Sequence, residues 1–185
     1  MCIRDRLVAE KCCQLLETKS SKSFRIFSIG CGDGTFDITI LQTIADRFPD
    51  VKIHYIGTDI DGQFCQQARE LLSGIKNVEI ETLVTDFQQM EMSKVVIPPC
   101  DLVLAVHVFY YMTDINKALS NAQKLRKPDG TTHVLMLVSQ ASPHNLKRKG
   151  LVTIHTASCS CGNSKITKHN RKLGTASYIT CACRY

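Results

Sequence analysis

The sequence has no apolar run that approaches the roughly 20 residues needed to cross a bilayer as a helix. Its opening stretch, MCIRDRLVAEKCCQLL, also lacks the continuous apolar core of a secretion signal. These two absences argue against a membrane-spanning or secreted protein, so we expect a cytoplasmic protein without a membrane partner. Hydrophobic residues make up 44% and charged residues 22% of the 185 positions, as is usual for a globular domain with a substantial core.

Acidic residues are missing from the whole C-terminal part of the chain. Residues 1–129 contain 15 Lys and Arg against 17 Asp and Glu, whereas residues 130–185 contain 8 basic residues and no acidic one. A basic segment can bind nucleic acid, but its aromatic residues are confined to Tyr178 and Tyr185, which does not indicate stacking on bases. We therefore expect one domain over 1–150, a solvated basic tail over 151–185, and no nucleic-acid partner.

Ten cysteines would indicate a disulfide framework in a small secreted chain. Here Cys31, Cys65 and Cys100 fall in or beside predicted strands and helices of an apparently cytosolic chain, so reduced thiols are expected. Four tail cysteines form two CxC pairs, at 159 and 161 and at 181 and 183. Structural zinc sites usually use CxxC spacing, and CxC is less suited to tetrahedral chelation. We predict no metal site.

Apolar runs alternate with segments of helical spacing along the first 140 residues. The pattern predicts strands at 24–30, 51–59, 77–84, 100–109 and 132–140, and helices at 34–48, 61–73 and 113–125. This alternation is typical of βαβ units and predicts the α/β class, with a doubly wound and mostly parallel sheet. In the tail, LVTIHTA and ASYITCAC could form short strands.

The stretch FSIGCGDG places Gly30, Gly32 and Gly34 between the first predicted strand and the first predicted helix. Such a turn either only connects the two elements or lets a ligand lie against the backbone. Asp59 ends the second predicted strand, where a carboxylate can accept hydrogen bonds from ribose hydroxyls. Both features fit any adenosine-containing cofactor, NAD included, but a dinucleotide fingerprint would have glycine where this chain has Thr35.

Four segments together resemble class I S-adenosylmethionine-dependent methyltransferases. FSIGCGDG resembles their first motif, TDID the acidic loop after the second strand, VTDF the loop that flanks adenine, and HVFYYMTD the motif after the fourth strand. The first motif usually begins with an acidic residue, and Ser28 stands at that position here. More narrowly, SIGCGDGTFDITIL and VFYYMTDINKAL resemble the histamine N-methyltransferase branch, over residues 24–150.

The resemblance implies a Rossmann-like methyltransferase fold, S-adenosylmethionine as cofactor, and a small, histamine-like amine as substrate. Carried over residue by residue, it implies cofactor contacts at Gly30, Gly32, Gly34, Asp59, Gln63, Asp86, Phe87 and Val106. The contact at Gln63 is a glutamine early in the second helix, although the register of the motif places Phe64 at that position. It implies substrate contacts at His107, Tyr110 and Tyr111. No catalytic residue is assigned, because methyl transfer from a sulfonium is an in-line displacement that depends mostly on proximity and orientation.

Two alternatives remain open at the level of the sequence. The substrate pocket of the branch uses an acidic residue on an N-terminal segment and polar groups from a long C-terminal region, whereas here about twenty residues precede the first predicted strand and no acidic residue follows Asp129. We therefore expect a chain that is incomplete at both ends, for which a non-catalytic, cofactor-binding fragment is the first alternative. Separately, we expect a monomer. The other alternative is an NAD-dependent oxidoreductase, against which Thr35 and the Tyr110–Tyr111 pair argue.

Overall fold

The computed structural model describes residues 3–17, 21–125 and 127, together with the backbone of four strands at 133–139, 152–158, 166–171 and 176–181. Within these residues, no helix is both long enough and apolar enough to cross a membrane. Cys31, Cys65 and Cys100 are thiols rather than disulfides, as predicted.

The main sheet has six strands, and its order confirms the doubly wound prediction. The strands are β1 (Ser23–Ile29), β2 (Lys52–Asp59), β3 (Val78–Val84), β4 (Leu102–Val106), β5 (His133–Ser139) and β6 (Val152–Ser158), in the order β3-β2-β1-β4-β5-β6. β1 to β5 are parallel, and β6 pairs antiparallel with β5. The strand order reverses between β1 and β4. Ligands bind at the carboxyl ends of the strands beside such a reversal.

Helices cover both faces of this sheet. They are α1 (Ile3–Glu17), α2 (Thr35–Arg47), α3 (Gly62–Leu72) and α4 (Ile115–Lys124), with a 3₁₀ turn at Phe109–Tyr111. One core cluster joins α1, α2 and α3 to Leu102 and Leu104 of β4. The other joins α4 to Val103 and Ala105. Successive side chains of a strand point to opposite faces of the sheet, so β4, which is packed on both faces, is apolar throughout.

α1 was not predicted, although its buried residues recur at helical spacing. Val8, Cys12 and Leu16 are buried against the first core cluster. On the surface, the guanidinium of Arg47 donates to both carboxylate oxygens of Glu10, at 2.9 and 2.8 Å. α1 therefore packs along α2 through an apolar face that is flanked by an ion pair.

The tail contributes three strands. β6 covers most of the predicted strand LVTIHTA, and β7 (Ile166–Arg171) pairs antiparallel with β8 (Ala176–Cys181), which begins ASYITC. β7 was not predicted. β6 begins beyond residue 150 and still pairs along β5, while the division into 1–150 and 151–185 stays a prediction.

Candidate functional site

A cavity of about 510 Å³ opens where β1 to β4 end. Gly30 and Gly32 line it after β1, and Asp59 and Ile60 after β2. Asp86 and Phe87 follow β3, and His107, Val108 and Tyr111 follow β4. The cavity therefore lies beside the reversal of strand order, and the loops predicted to carry the site converge on it.

All three glycines of the first loop have backbone conformations that L-residues rarely adopt. Their φ angles are 68° at Gly30, 55° at Gly32 and 83° at Gly34. A Cβ on Gly30 would lie 2.5 Å from Val108 Cγ2, and one on Gly34 would lie 3.0 Å from Ala68 Cα. A Cβ on Gly32 would meet nothing within 4 Å. Gly30 and Gly34 thus allow close packing of neighbouring elements, whereas Gly32 leaves open space at the cavity.

Asp59 fixes the glycine loop from the neighbouring strand. Its carboxylate accepts hydrogen bonds from the backbone amide of Gly32 at 2.9 Å and from that of Asp61 at 3.0 Å. Its carbonyl accepts from the amide of Thr85 at 2.8 Å, which ties the loop after β3 to the same place. A carboxylate has about four lone-pair sites, so Asp59 can still accept further donors such as a vicinal diol.

Phe64 lines the cavity, whereas Gln63 is exposed and lies outside its lining. The reason is the register of α3. Asp61 caps this helix by accepting from the amide of Gln63, and the next residue along the helix is the one that faces the cavity.

The end of β4 differs from its prediction. The strand stops at Val106, which packs beside the first core cluster, and Val108 lines the cavity instead. The chain leaves the strand early because His107 has a φ of 54°. A non-glycine residue in this region costs on the order of 1–3 kcal/mol, and such strain is often found at functional sites.

The predicted substrate residues follow this bend. His107 lines the cavity, and Tyr111 lies at its rim with 76% of its surface exposed. The backbone of Tyr110 belongs to the same 3₁₀ turn, and its side chain lies outside the described residues. Asp114 caps α4 by accepting from the amide of Lys117 at 2.9 Å, as expected for a capping residue.

A buried carboxylate lies beneath the glycine loop. Asp37 of α2 is 2% exposed and accepts hydrogen bonds from the hydroxyls of Ser28, at 2.9 Å, and Tyr55. The methyltransferase motif that this loop resembles usually has an acidic residue at the position of Ser28. Here the carboxylate of Asp37 is hydrogen-bonded to the Ser28 side chain instead. Gly57 makes room for Tyr55, whose hydroxyl would lie 2.8 Å from a Cβ on that glycine.

Burial sets the protonation of this group. It raises the pKa of Asp37 from an ordinary value of 3.8 to about 6, against the opposing effect of the two hydroxyl donors. Burial also raises the pKa of Tyr55, which therefore remains a donor at neutral pH. Sequence patterns do not predict this contact, because its three residues lie on three different elements, β1, α2 and β2.

The residues 27–132 match a family described as "Methyltransferase domain". The chain belongs to this family. Membership removes the support for an NAD-dependent oxidoreductase and agrees with the placement of the cavity at the carboxyl ends of the strands.

Curated relatives are large synthases. Probable polyketide synthase 26 of Dictyostelium discoideum is 28% identical over 137 residues, which cover 69% of this chain and 5% of that protein. Prosolanapyrone synthase of Alternaria solani is 29% identical over 132 residues, again 69% of this chain and 5% of the relative. The chain thus spans about a twentieth of the length of these relatives.

Solved structures support the fold. The CMeT domain of the citrinin polyketide synthase aligns with a TM-score of 0.62 at 16% identity, over 75% of this chain and 35% of that one. The N-methyltransferase NodS of Bradyrhizobium japonicum WM9 aligns with a TM-score of 0.52 at 20% identity, over 73% of this chain and 68% of that one. At these identities the likeness shows a shared Rossmann-like methyltransferase fold.

The described residues contain no cluster of His, Cys, Asp or Glu side chains that could hold a metal ion. The CxC residues Cys159, Cys161 and Cys183 lie outside those residues, and Cys181 ends β8.

The three glycines should respond differently to alanine. Gly32→Ala should lower the free energy of unfolding only by the cost of a left-handed L-residue, about 1–2 kcal/mol. Gly30→Ala and Gly34→Ala should each lose about 1–3 kcal/mol more, because their methyl groups meet Val108 and Ala68. Urea unfolding of the three variants measures this order. A loss of stability in Gly32→Ala as large as in the other two variants would contradict the finding that a side chain at position 32 meets no neighbour.

Stability should depend on pH through Asp37. Between pH 3.8 and about 6 the Asp37 carboxyl is mostly protonated in the folded protein and mostly ionised in the unfolded chain. Its contribution therefore rises as the pH falls, and lowering the pH from 7 to 5 should add about 1 kcal/mol of stability. Asp37→Asn should lack this increment in urea unfolding at the two pH values. Equal pH dependence in the variant and the original protein would show that Asp37 does not titrate in this range.

Proposed function

We propose that this chain binds S-adenosylmethionine in the cavity and transfers its methyl group to an acceptor beside His107. The observation that carries the proposal is the hydrogen bond from Gly32 to Asp59, which places an acidic acceptor next to open backbone at the end of β1. Family membership supports it, as does the shared fold with BpumL, whose structure contains S-adenosylhomocysteine. That structure has a TM-score of 0.54 at 18% identity.

The cavity offers a partner for each part of this cofactor. Gly30 and Gly32 would hold the methionine part, and Asp59 would accept hydrogen bonds from the ribose hydroxyls. Asp86, Phe87 and the exposed Ile60 would hold the adenine. The aromatic ring of Tyr111 could stabilise the sulfonium cation.

For the acceptor, we propose first a carbon next to a carbonyl, as in a polyketide-type acyl group. Probable polyketide synthase 26 and the CMeT domain of the citrinin polyketide synthase, both named above, support this choice. A base must remove the proton of that carbon, and His107 is the candidate in the cavity. S-adenosylmethionine would supply the methyl group to this carbon and leave as S-adenosylhomocysteine, which keeps the electron pair of the broken C–S bond, while His107 would hold the proton.

The second candidate acceptor is a small, histamine-like amine. SIGCGDGTFDITIL and VFYYMTDINKAL favour it, through their resemblance to the histamine N-methyltransferase branch. An unprotonated amine attacks with its own lone pair and releases a proton afterwards, so it needs only a desolvated site and correct orientation. In this case His107, Tyr110 and Tyr111 would orient the amine. A monomeric state, a cytoplasmic location and the absence of a nucleic-acid partner stay predictions.

Cofactor binding should appear as thermal stabilisation. S-adenosylhomocysteine at about 100 times its dissociation constant should add about 2.7 kcal/mol. Asp59→Asn should lower the affinity about tenfold or more, because hydrogen bonds to a charged carboxylate are lost. The matched control is Asp46→Asn, an exposed site on α2. Cooperative unfolding of the original protein with no shift would overturn the proposal.

The two acceptors can be distinguished with methyl-labelled S-adenosylmethionine. A β-ketoacyl thioester and histamine are offered in parallel to the original protein, to His107→Gln and to the control His54→Gln on β2. Loss of a general base should lower carbon methylation at least about 10²-fold in His107→Gln, with a smaller effect on an amine. Binding of S-adenosylhomocysteine without methylation of either acceptor would favour the non-catalytic alternative.

A further inference from the structure

We propose that Gln88 is a positioning residue that couples the cofactor side of the cavity to its acceptor side. The inference rests on the proposed function, because it assumes that Asp86 contacts the cofactor. Gln88 lies in the loop after β3, is 9% exposed and lines the cavity. The nitrogen and the oxygen of its side-chain amide form hydrogen bonds to two different segments of the chain.

The nitrogen end faces the cofactor side. Gln88 Nε2 donates to Asp86 Oδ2 at 3.1 Å, and the backbone amide of Gln88 donates to Asp86 Oδ1 at 3.1 Å. Both oxygens of the Asp86 carboxylate are thus held by a single residue. The orientation of this carboxylate in the cavity therefore depends on Gln88.

The oxygen end faces the acceptor side. Gln88 Oε1 accepts from the backbone amides of Thr113 and Asp114, both at 2.9 Å, and from the hydroxyl of Thr113 at 3.2 Å. These residues follow the cavity-lining segment that ends at Met112 and directly precede α4, with Asp114 as its N-cap. The contact also explains why Asp114 rather than Thr113 caps this helix: the Thr113 hydroxyl is bound to Gln88.

A second buried amide strengthens the same connection. Asn121 of α4 is 3% exposed, and its Nδ2 donates to the carbonyls of Phe87 and Met90, both at 3.0 Å. The loop after β3 is therefore bound through buried amides both to the residues that precede α4 and to α4 itself. Buried polar groups are costly to leave unpaired, so a shift of Asp86 must either move the start of α4 or break hydrogen bonds at Gln88.

Two substitutions separate the two ends of the amide. Gln88→Glu keeps an oxygen acceptor for Thr113 and Asp114 but removes the donor to Asp86 and places a second carboxylate beside it. Gln88→Met has a similar length and removes both ends. Gln89→Glu is the matched control, since Gln89 is the exposed neighbour whose Oε1 accepts from Lys117 Nζ at 3.0 Å.

The experiment measures S-adenosylhomocysteine binding by calorimetry and amide hydrogen exchange at Thr113 and Asp114, with and without this compound. In the original protein, binding should slow exchange at both amides. Gln88→Glu should bind S-adenosylhomocysteine at least about tenfold more weakly, since the side-chain donor to Asp86 is lost. Its amides at Thr113 and Asp114 should remain protected from exchange. Gln88→Met should lose both the affinity for S-adenosylhomocysteine and the protection of the two amides. Gln89→Glu should resemble the original protein in both measurements.

The outcomes separate this inference from the proposed function. Failure of the original protein to bind S-adenosylhomocysteine overturns the proposed function and this inference with it. Binding without any change in exchange at Thr113 and Asp114 overturns the coupling alone. Unchanged affinity in Gln88→Glu overturns the role at Asp86 and would leave Gln88 a structural residue. Should Gln88→Met not fold, the original protein and Gln88→Glu still decide both points.

Discussion

The carboxylate of Asp59 bridges the glycine loop and the start of α3, and the remaining geometry of the cavity depends on this bridge. By accepting from Gly32 and Asp61 it fixes two loops at the ends of neighbouring parallel strands. The carbonyl of the same residue holds Thr85 in the third loop. A single strand end thus sets the relative position of three of the four loops that line the cavity, before any ligand is present.

The beginning of the fourth loop is positioned by close packing against the first loop, and its end by the hydrogen bonds to Gln88. β1 and β4 are adjacent, and Gly30 allows Val108 to approach a place that any side chain at position 30 would occupy. The bend at His107 directs the chain into this contact. The strained histidine and the permissive glycine therefore belong to one arrangement, in which the loops after β1 and β4 pack closely beside the cavity.

Local patterns were sufficient for β1 to β6, for the glycine loop and for the position of Asp59, because each depends on neighbours within about ten residues along the chain. They were insufficient for β7, and wherever the partner lies far away in sequence. The amide of Gln88 meets residues 25 and 26 positions later, and Asp37 of α2 meets Tyr55 on β2. The resemblance implied a contact at Val106, but the apolar run does not indicate the bend at His107 after which Val108 lines the cavity. α1 had helical spacing but was not recognised among cysteines and charged residues.

α2 connects the glycine loop to a distant surface. It begins directly after Gly34, packs against α1 along its length and ends at Arg47, which binds Glu10. At 1.5 Å per residue such a helix is about 20 Å long. Segments that share a core open together in cooperative units, so α1 and the glycine loop belong to one such unit through α2. Fraying of α1 would therefore loosen a loop at the edge of the cavity that α1 itself does not line.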